Sequence, residues 1–292
     1  MGSSNWQDYE NEIFKHFKTE FPSPLFKITQ DARVTGRFSK VERQIDILIE
    51  GTTAGFEHKI AIDAKSYNKP IDVIGVEAFI EFCKDIHVHT GVLISPNGYT
   101  PAAKSRAYNY DGDIELDIFN NEDLKHYQGF CAIPYAGNHG LVIGAPFGWV
   151  IDAAKHFPDQ PFQASIYQRG FDFENALDSR EWMYLTFWKK DKTASTLEEL
   201  LNYQETYMKE AHPDWPIYYQ EGPRRGIGRT QIRIYDRLPV PEYTGFIEFD
   251  DFIAFCVLLT PIEVAKRNLR KLNYILKTAI PLKVDHVPPK TP

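Results

Sequence analysis

Arg43-Gln-Ile-Asp-Ile-Leu-Ile-Glu50, the turn Gly51-Thr-Thr-Ala-Gly55, and Lys59-Ile-Ala-Ile-Asp-Ala-Lys-Ser-Tyr67 are the segments whose reading decides the fold. Both outer runs alternate and are rich in β-branched residues, so they read as two strands of an antiparallel hairpin. The glycines between them supply the turn. On the first strand Ile45, Ile47 and Ile49 share one face, and Gln44, Asp46 and Leu48 the other. On the second, Ile60, Ile62 and Ala64 oppose Ala61, Asp63 and Lys65. With the isoleucines against a core, Asp46, Asp63 and Lys65 meet on the far face. Two carboxylates and an ammonium on an otherwise apolar hairpin are costly unless they pair or hold a cation. Paired carboxylate oxygens suit Mg²⁺ or Mn²⁺, with phosphate and water completing the shell. A neighbouring lysine can orient or deprotonate a water, or offset charge building on phosphorus. A plain Asp–Lys ion pair on an exposed sheet face has the same spacing.

Several motifs in order carry a resemblance. They are "WQDYENEIFKHF" with Glu10, "VTGRFSKVERQIDILIEG", "IAIDAKSYNKPIDVIGVEAFIEFCKDI" and "TGVLISPNGYTPAAKSRA". Together they resemble the PD-(D/E)XK nuclease superfamily, and within it the Mrr-like restriction endonuclease branch, over roughly the first 125 residues. The resemblance implies a central mixed sheet flanked by helices and a metal-dependent endonuclease acting on DNA, in bacterial restriction or phage defence. It also implies residue roles: Asp46 and Asp63 as metal-binding carboxylates, Lys65 as the catalytic lysine and Glu10 as the first-helix acid. Glu12 rivals Glu10. Many relatives carry Glu or Gln where Asp63 stands, so the ligand here is shorter. A nucleic-acid-binding or ligand-sensing regulator on an inactive nuclease fold is the alternative.

The chain has 292 residues, enough for two domains, with a hydrophobic share of 43% and a charged share of 25% that suit a globular protein. No apolar run reaches the length of a membrane span, and the polar N-terminus has no signal-peptide core. Cys83, Cys131 and Cys256 lie far apart in apolar company, which suits buried thiols in a reducing, cytoplasmic setting. The formal net charge of −7 argues against constitutive, sequence-blind coating of nucleic acid. It leaves room for a cation-holding site with a local basic strip.

Asp8 to Phe21 reads as a helix with Tyr9, Ile13, Phe14, Phe17 and Phe21 on one stripe, ended by Pro22 and Pro24. Glu10 borders that stripe and Glu12 lies further off it. Strand Phe26 to Val34 follows, then a loop with Arg37 and Lys40. Arg33, Arg37, Lys40 and Arg43 form a candidate phosphate-tracking strip, and Gln44 a candidate hydrogen-bond donor beside Asp46. A helix from Val73 to Ile86, a strand at Thr90 to Ser95, a helix from Thr100 to Asn109 and a strand at Ile114 to Phe119 complete an α/β sandwich. His87 and His89 read as solvated or capping groups.

Residues 129–292 have no familiar motif and read as a second, α+β domain for specificity, sensing or oligomerisation; the first domain is 1–128. The features are a strand pair around Ala145–Gly148, a strand from Glu181 to Lys189, and a capping box at Thr196-Leu-Glu-Glu199. Strands then occupy Pro216 to Gln220, Thr230 to Leu238 and Thr244 to Leu259. Thr260-Pro-Ile-Glu263 reads as a second capping box opening a helix with a solvated basic face, and the tail from Pro281 as extended or disordered. Arg224, Arg225 and Arg229, set among glycines, are candidates for binding nucleic acid or a phosphorylated ligand. The expected partners are DNA and a small-molecule or protein signal, with no membrane; a homo-oligomer stays open.

Overall fold

The computed structural model describes residues 3–21, 26–53, 56–110, 112–125, 128–135, 138–154, 156, 159, 162–236 and 240–283. Pro22, Pro24, Gly55, Asp111, Leu238 and the tail from 284 lie outside the described residues. The chain divides into two compact units, Met1–Gly129 and Phe130–Pro292.

In the first unit, α1 (Ser3–Glu20) precedes β1 (Phe26–Thr35), β2 (Glu42–Thr53) and β3 (Phe56–Ala64). Then come α2 (Val73–Asp85), β4 (Thr90–Ile94), α3 (Pro101–Tyr108), β5 (Glu115–Phe119) and the short α4 (Asn121–Lys125). This is the predicted order, with α4 added. The strands form one mixed sheet, β1-β2-β3-β4-β5. β1, β2 and β3 pair antiparallel, while β3–β4 and β4–β5 are parallel. The α2 connection makes the parallel crossover possible. Asp72 caps α2 by accepting from the Gly75 amide, and Thr100 caps α3 ahead of Pro101.

Leu48, Ala61 and Leu93 pack against Val76, Phe79, Ile80 and Cys83 of α2. Gly91 is needed there, because a Cβ would meet Cys83 Sγ at 2.7 Å and Phe79 at 3.0 Å. Phe17 of α1 stacks on Phe119 at 6.5 Å, and Phe119 alternates with the α2-facing Leu116 and Ile118. Both faces of the sheet are therefore covered, not just the isoleucine face. One alternation breaks. Ile45 joins Leu48 in the α2 cluster, although strict period two would put them on opposite faces. The irregularity falls where the register passes from Gln30↔Ile47 to Ala32↔Ile45. Asp31, between them, takes a left-handed φ of 51°, which Asp tolerates better than most residues.

The second unit contains β6 (Phe130–Pro134), β7 (His139–Gly144), β8 (Trp149–Asp152), β9 (Ala164–Gln168), α5 (Phe173–Ser179) and β10 (Trp182–Lys189). It continues with α6 (Leu197–Ala211), β11 (Ile217–Glu221), β12 (Arg229–Tyr235), β13 (Glu242–Glu248), β14 (Phe252–Leu259), α7 (Ala265–Thr278) and β15 (Ile280–Lys283). Seven strands form an antiparallel sheet, β11-β12-β13-β14-β10-β9-β8, and three form a smaller one, β15-β7-β6. The strand pair expected around Ala145–Gly148 is not made. β7 pairs with β6 and β15, whereas β8 pairs with β9. Likewise, Ile280–Lys283 is a strand on β7 rather than part of a loose tail.

The Thr196–Glu199 capping box forms as read. The one at Thr260 does not. A 3₁₀ turn, Ile262–Val264, precedes α7, and the Thr260 hydroxyl instead accepts from Asn268 Nδ2 at 2.8 Å. Helix α7 touches β7 on one side and β13 and β14 on another. Its buried surface is therefore wider than its apolar stripe. Arg267 pairs with Glu181, and Arg267 and Lys271 are buried, which corrects the expectation of a wholly solvated basic face.

Arg225 is also taken up in the fold. Its guanidinium donates to the Leu276 carbonyl at 2.6 Å and to that of Ala279, and lies over the Phe249 ring at 5.3 Å. It thus satisfies carbonyls that the end of α7 leaves open. Burial lowers its pKa to about 10. Arg225→Ala should cost on the order of 2 kcal/mol in urea unfolding of the full chain, typical of lost charged hydrogen bonds. Arg224→Ala, at an exposed side chain, should be silent. Equal effects would remove Arg225 from this role.

Candidate active site

The last rung between β2 and β3 is Ile47↔Ile62, so Asp46 and Asp63 stand side by side where the ladder stops. Beyond it, the Ala64 amide donates to Asp46 Oδ2 at 2.8 Å. The Lys65 amide donates to the Ile94 carbonyl of β4 at 2.8 Å. This fixes the backbone beneath the Lys65 side chain, whose Nζ lies 2.9 Å from Asp63 Oδ1.

Burial is the first cause raising the Asp46 carboxyl; repulsion from Asp63 and a hydrogen bond to it add to this. Together they push it up to about 7, against the Ala64 amide and Lys65. For Lys65, burial acts to lower the ammonium, but Asp63, with Asp46 and Tyr67, outweighs it and the net shift is upward. Lys65 is therefore a cation and a donor at neutral pH. Glu10 is half-buried, and its carboxyl is raised by burial, then by Asp31 and Asp63, with Lys65 opposing. Glu12 is exposed. The Glu10 carboxyl thus lies in the field of Asp63 and Lys65.

Among the described residues no three His, Cys, Asp or Glu side chains form a ready-made metal cage. The donor set brought together is the Asp46–Asp63 pair. That pair fits Mg²⁺ or Mn²⁺, which take one or two carboxylates and fill the rest with water and phosphate.

Gln44 donates to Asp31 Oδ1 at 3.0 Å. Asp31 is the site neighbour that sequence reasoning missed. It lies across the β1–β2 register from Asp46, between Gln30 and Ala32, and only that register could reveal it. Arg37 and Lys40 are exposed in the β1–β2 loop. Arg43 departs from the expected strip: it turns inward, 3.6 Å from Asp85 and over Phe82 at 5.2 Å. Arg33 is paired with Glu42 at 2.6 Å. In the second unit, Arg224 and Arg229 line an open recess of about 580 Å³ with Gln220 and Thr230. Arg229 is 2.9 Å from Glu198. Arg225 is corrected from a phosphate contact to the support of α7, because its guanidinium is already occupied.

Residues 5–126 match the family model Mrr_cat, described as restriction endonuclease. They are a restriction-endonuclease-like domain. No curated protein matches the chain. Among solved structures, a protein of unknown function, AF1548, is 16% identical over 38% of this chain and 56% of that one, with a TM-score of 0.31. The DNA modification-dependent restriction endonuclease AspBHI is 19% identical over 42% of this chain and 30% of its own, with a TM-score of 0.30. The cyanobacterial PsbP of Synechocystis sp. PCC 6803 is 9% identical over 52% of this chain and 92% of its own, with a TM-score of 0.35. The chain thus spans little more than half of AF1548, and scores of this size carry no weight for activity.

The endonuclease-like domain makes a testable demand on pH. A carboxyl whose folded pKa lies above its unfolded value contributes stability below the unfolded value and loses it as pH rises through the folded one. In EDTA the protein should therefore lose stability between about pH 4 and 7 from Asp46. Asp46→Asn keeps an acceptor for Ala64 and offers Asp63 a donor. At pH 8 in EDTA it should melt on the order of 5 °C above the parent, with the gap shrinking toward pH 4. Mg²⁺ should raise the parent's melting point and leave the variant's unmoved. A variant that melts below the parent at pH 8 and still responds to Mg²⁺ would overturn this account.

Proposed function

We propose that the restriction-endonuclease-like domain hydrolyses DNA phosphodiester bonds with a divalent metal ion, in restriction or phage defence. The observation that carries the reading is the Asp46–Asp63 pair at the end of the ladder with Lys65 2.9 Å from Asp63. Asp46 and Asp63 would hold Mg²⁺ or Mn²⁺, with Glu10 as the neighbouring acid. A bound ion supplies an acidified water and stabilises charge on the phosphate. Lys65, held as an ammonium, donates toward a phosphate oxygen or the attacking water and offsets the charge that grows there. In this state it is a donor and not the base. Attack by water forms a new P–O bond and breaks the old one, leaving a phosphomonoester and a hydroxyl end.

Arg37 and Lys40 would meet the DNA backbone. Gln44, by holding Asp31, sets the position of an acid that raises Glu10. Arg224 and Arg229 of the second unit face a recess suited to a phosphate group, and that unit would direct or restrain cleavage. A cell has need of such restraint, since unrestrained cutting would attack its own DNA.

Incubating plasmid with the full chain, with and without Mg²⁺ or Mn²⁺, tests the reading. Asp63→Ala and Lys65→Ala should each lower divalent-dependent cutting on the order of 10²-fold or more while remaining folded. Glu10→Gln should weaken cutting more than Glu12→Gln. Full cutting by a cleanly folded Asp63→Ala protein would end the assignment to this site.

A further inference from the structure

Between β1 and β2 the chain turns through residues 36–41 and sets an apolar side chain at its tip. Phe38 is 68% exposed and Val41 52%. Two exposed apolar side chains on one six-residue loop, rimmed by polar and cationic groups, form a surface suited to a partner. The stretch from Arg33 to Arg43 holds four cations against one acid, in a chain whose net charge is −7. The Arg37 guanidinium lies 5.5 Å from the Phe38 ring centroid, giving the tip a flat, cationic platform.

The loop is also pinned. Asp85, at the end of α2, accepts from the amides of Phe38 and Ser39 at 2.9 Å each, and from Ser39 Oγ at 2.6 Å. Its own carbonyl accepts from the Arg37 amide at 2.6 Å. Arg43 closes on the same carboxylate from behind. Gly36 permits the fit, since a Cβ there would strike Ser39 Oγ and the Asp85 carboxylate. These bonds, led by the Ser39 hydroxyl, lower the Asp85 pKa and keep it ionised. None of them shields Phe38; they fix the backbone that carries it.

Resting on the nuclease reading above, we propose that Phe38 is an apolar wedge that enters duplex DNA between base pairs, with Asp85 as its positioning residue. Insertion works against base stacking, which resists by a few kcal/mol per step. A loop free to fold away would yield first, so the wedge needs a fixed backbone, and the Asp85 carboxylate provides it. Arg37 and Lys40, exposed on the same loop, would meet the flanking phosphates. Val41 to Asp46 spans about 17 Å of strand, the length of roughly five base pairs, and Phe38 sits at the tip three residues before Val41.

The full chain is mixed in EDTA, which prevents metal-dependent cutting, with labelled duplexes of about 30 base pairs of random sequence. Affinity is read between about 50 and 200 mM salt, and bending by energy transfer between the ends. Phe38→Ala should weaken binding on the order of tenfold, leave the salt slope unchanged and abolish the bend, and Phe38→Trp should restore both. Asp85→Ala should lose a similar amount, and the double variant should bind no worse than the weaker single one. Additive losses would remove Asp85 as the positioning residue. Cutting with Mg²⁺ is followed in parallel. A parent that cuts, beside a folded Phe38→Ala that binds and bends like it, removes the wedge and leaves the nuclease. A Phe38-dependent bend in a chain that never cuts removes the nuclease and leaves the wedge. A parent that binds no duplex in EDTA yet cuts with Mg²⁺ removes the wedge and leaves the nuclease, and one that neither binds nor cuts removes both.

Discussion

Two carboxylates set side by side at the end of a sheet ladder cannot both remain charged without compensation. Asp46 and Asp63 occupy that position because Ile47↔Ile62 is the last rung between β2 and β3. The compensation comes from residues immediately downstream. The Ala64 amide, freed from the ladder, turns to Asp46, and Lys65 comes within 2.9 Å of Asp63. Lys65 can do so because its own amide is tied to Ile94 of β4. Burial, with repulsion from Asp63 and a hydrogen bond to it, still raises the Asp46 carboxyl to about 7. Strand pairing, the parallel crossover through α2 and the burial of Leu48 and Ala61 are thus all prerequisites of one electrostatic arrangement.

In the adjoining β1–β2 pairing, strict alternation is lost at Asp31, whose φ is 51°, and this has a second consequence. Beyond it, Ala32 and Ile45 turn into the α2 cluster, and the far end of the hairpin reaches Asp85 at the close of that helix. One side chain thereby serves as the floor of a loop that began as an ordinary strand connection. A buried carboxylate is costly when unpaired. Here two backbone amides, a hydroxyl and a guanidinium surround it, so the energetic demand of Asp85 is what orders residues 36–41.

How much of this the sequence discloses depends on the range of the interaction. Alternation in Arg43–Glu50 and Lys59–Lys65 reveals the strands and the shared face of Asp46, Asp63 and Lys65, because period two is local. The Thr196 capping box is legible for the same reason: its partners are three residues apart. The box at Thr260 fails because Asn268 reaches its hydroxyl through the fold of α7. Arg225 and Arg267 resemble solvated cations in the sequence, yet their partners lie 51 and 86 positions away. Asp31 is hidden likewise, since only the β1–β2 register sets it opposite Asp46. The pairing of β7 with β15 joins strands from opposite ends of the second unit, which no local pattern could announce.

Charge distribution connects the two ends of the hairpin. With a net charge of −7, the chain as a whole repels a polyanion. At physiological ionic strength, however, interactions between exposed charges fade beyond roughly 8 Å. An approaching duplex therefore responds to the surface immediately before it and not to the total. At the loop that surface is Arg37 and Lys40; at the ladder end it is an acid pair that becomes hospitable to phosphate only once a cation offsets it. The acidic site and the basic tip impose different conditions on one ligand. Under the proposed function, the tip would hold DNA without metal, whereas the ladder end would receive it only with metal. If the proposed function holds, such an arrangement would separate binding from cutting by charge alone, with no moving part required.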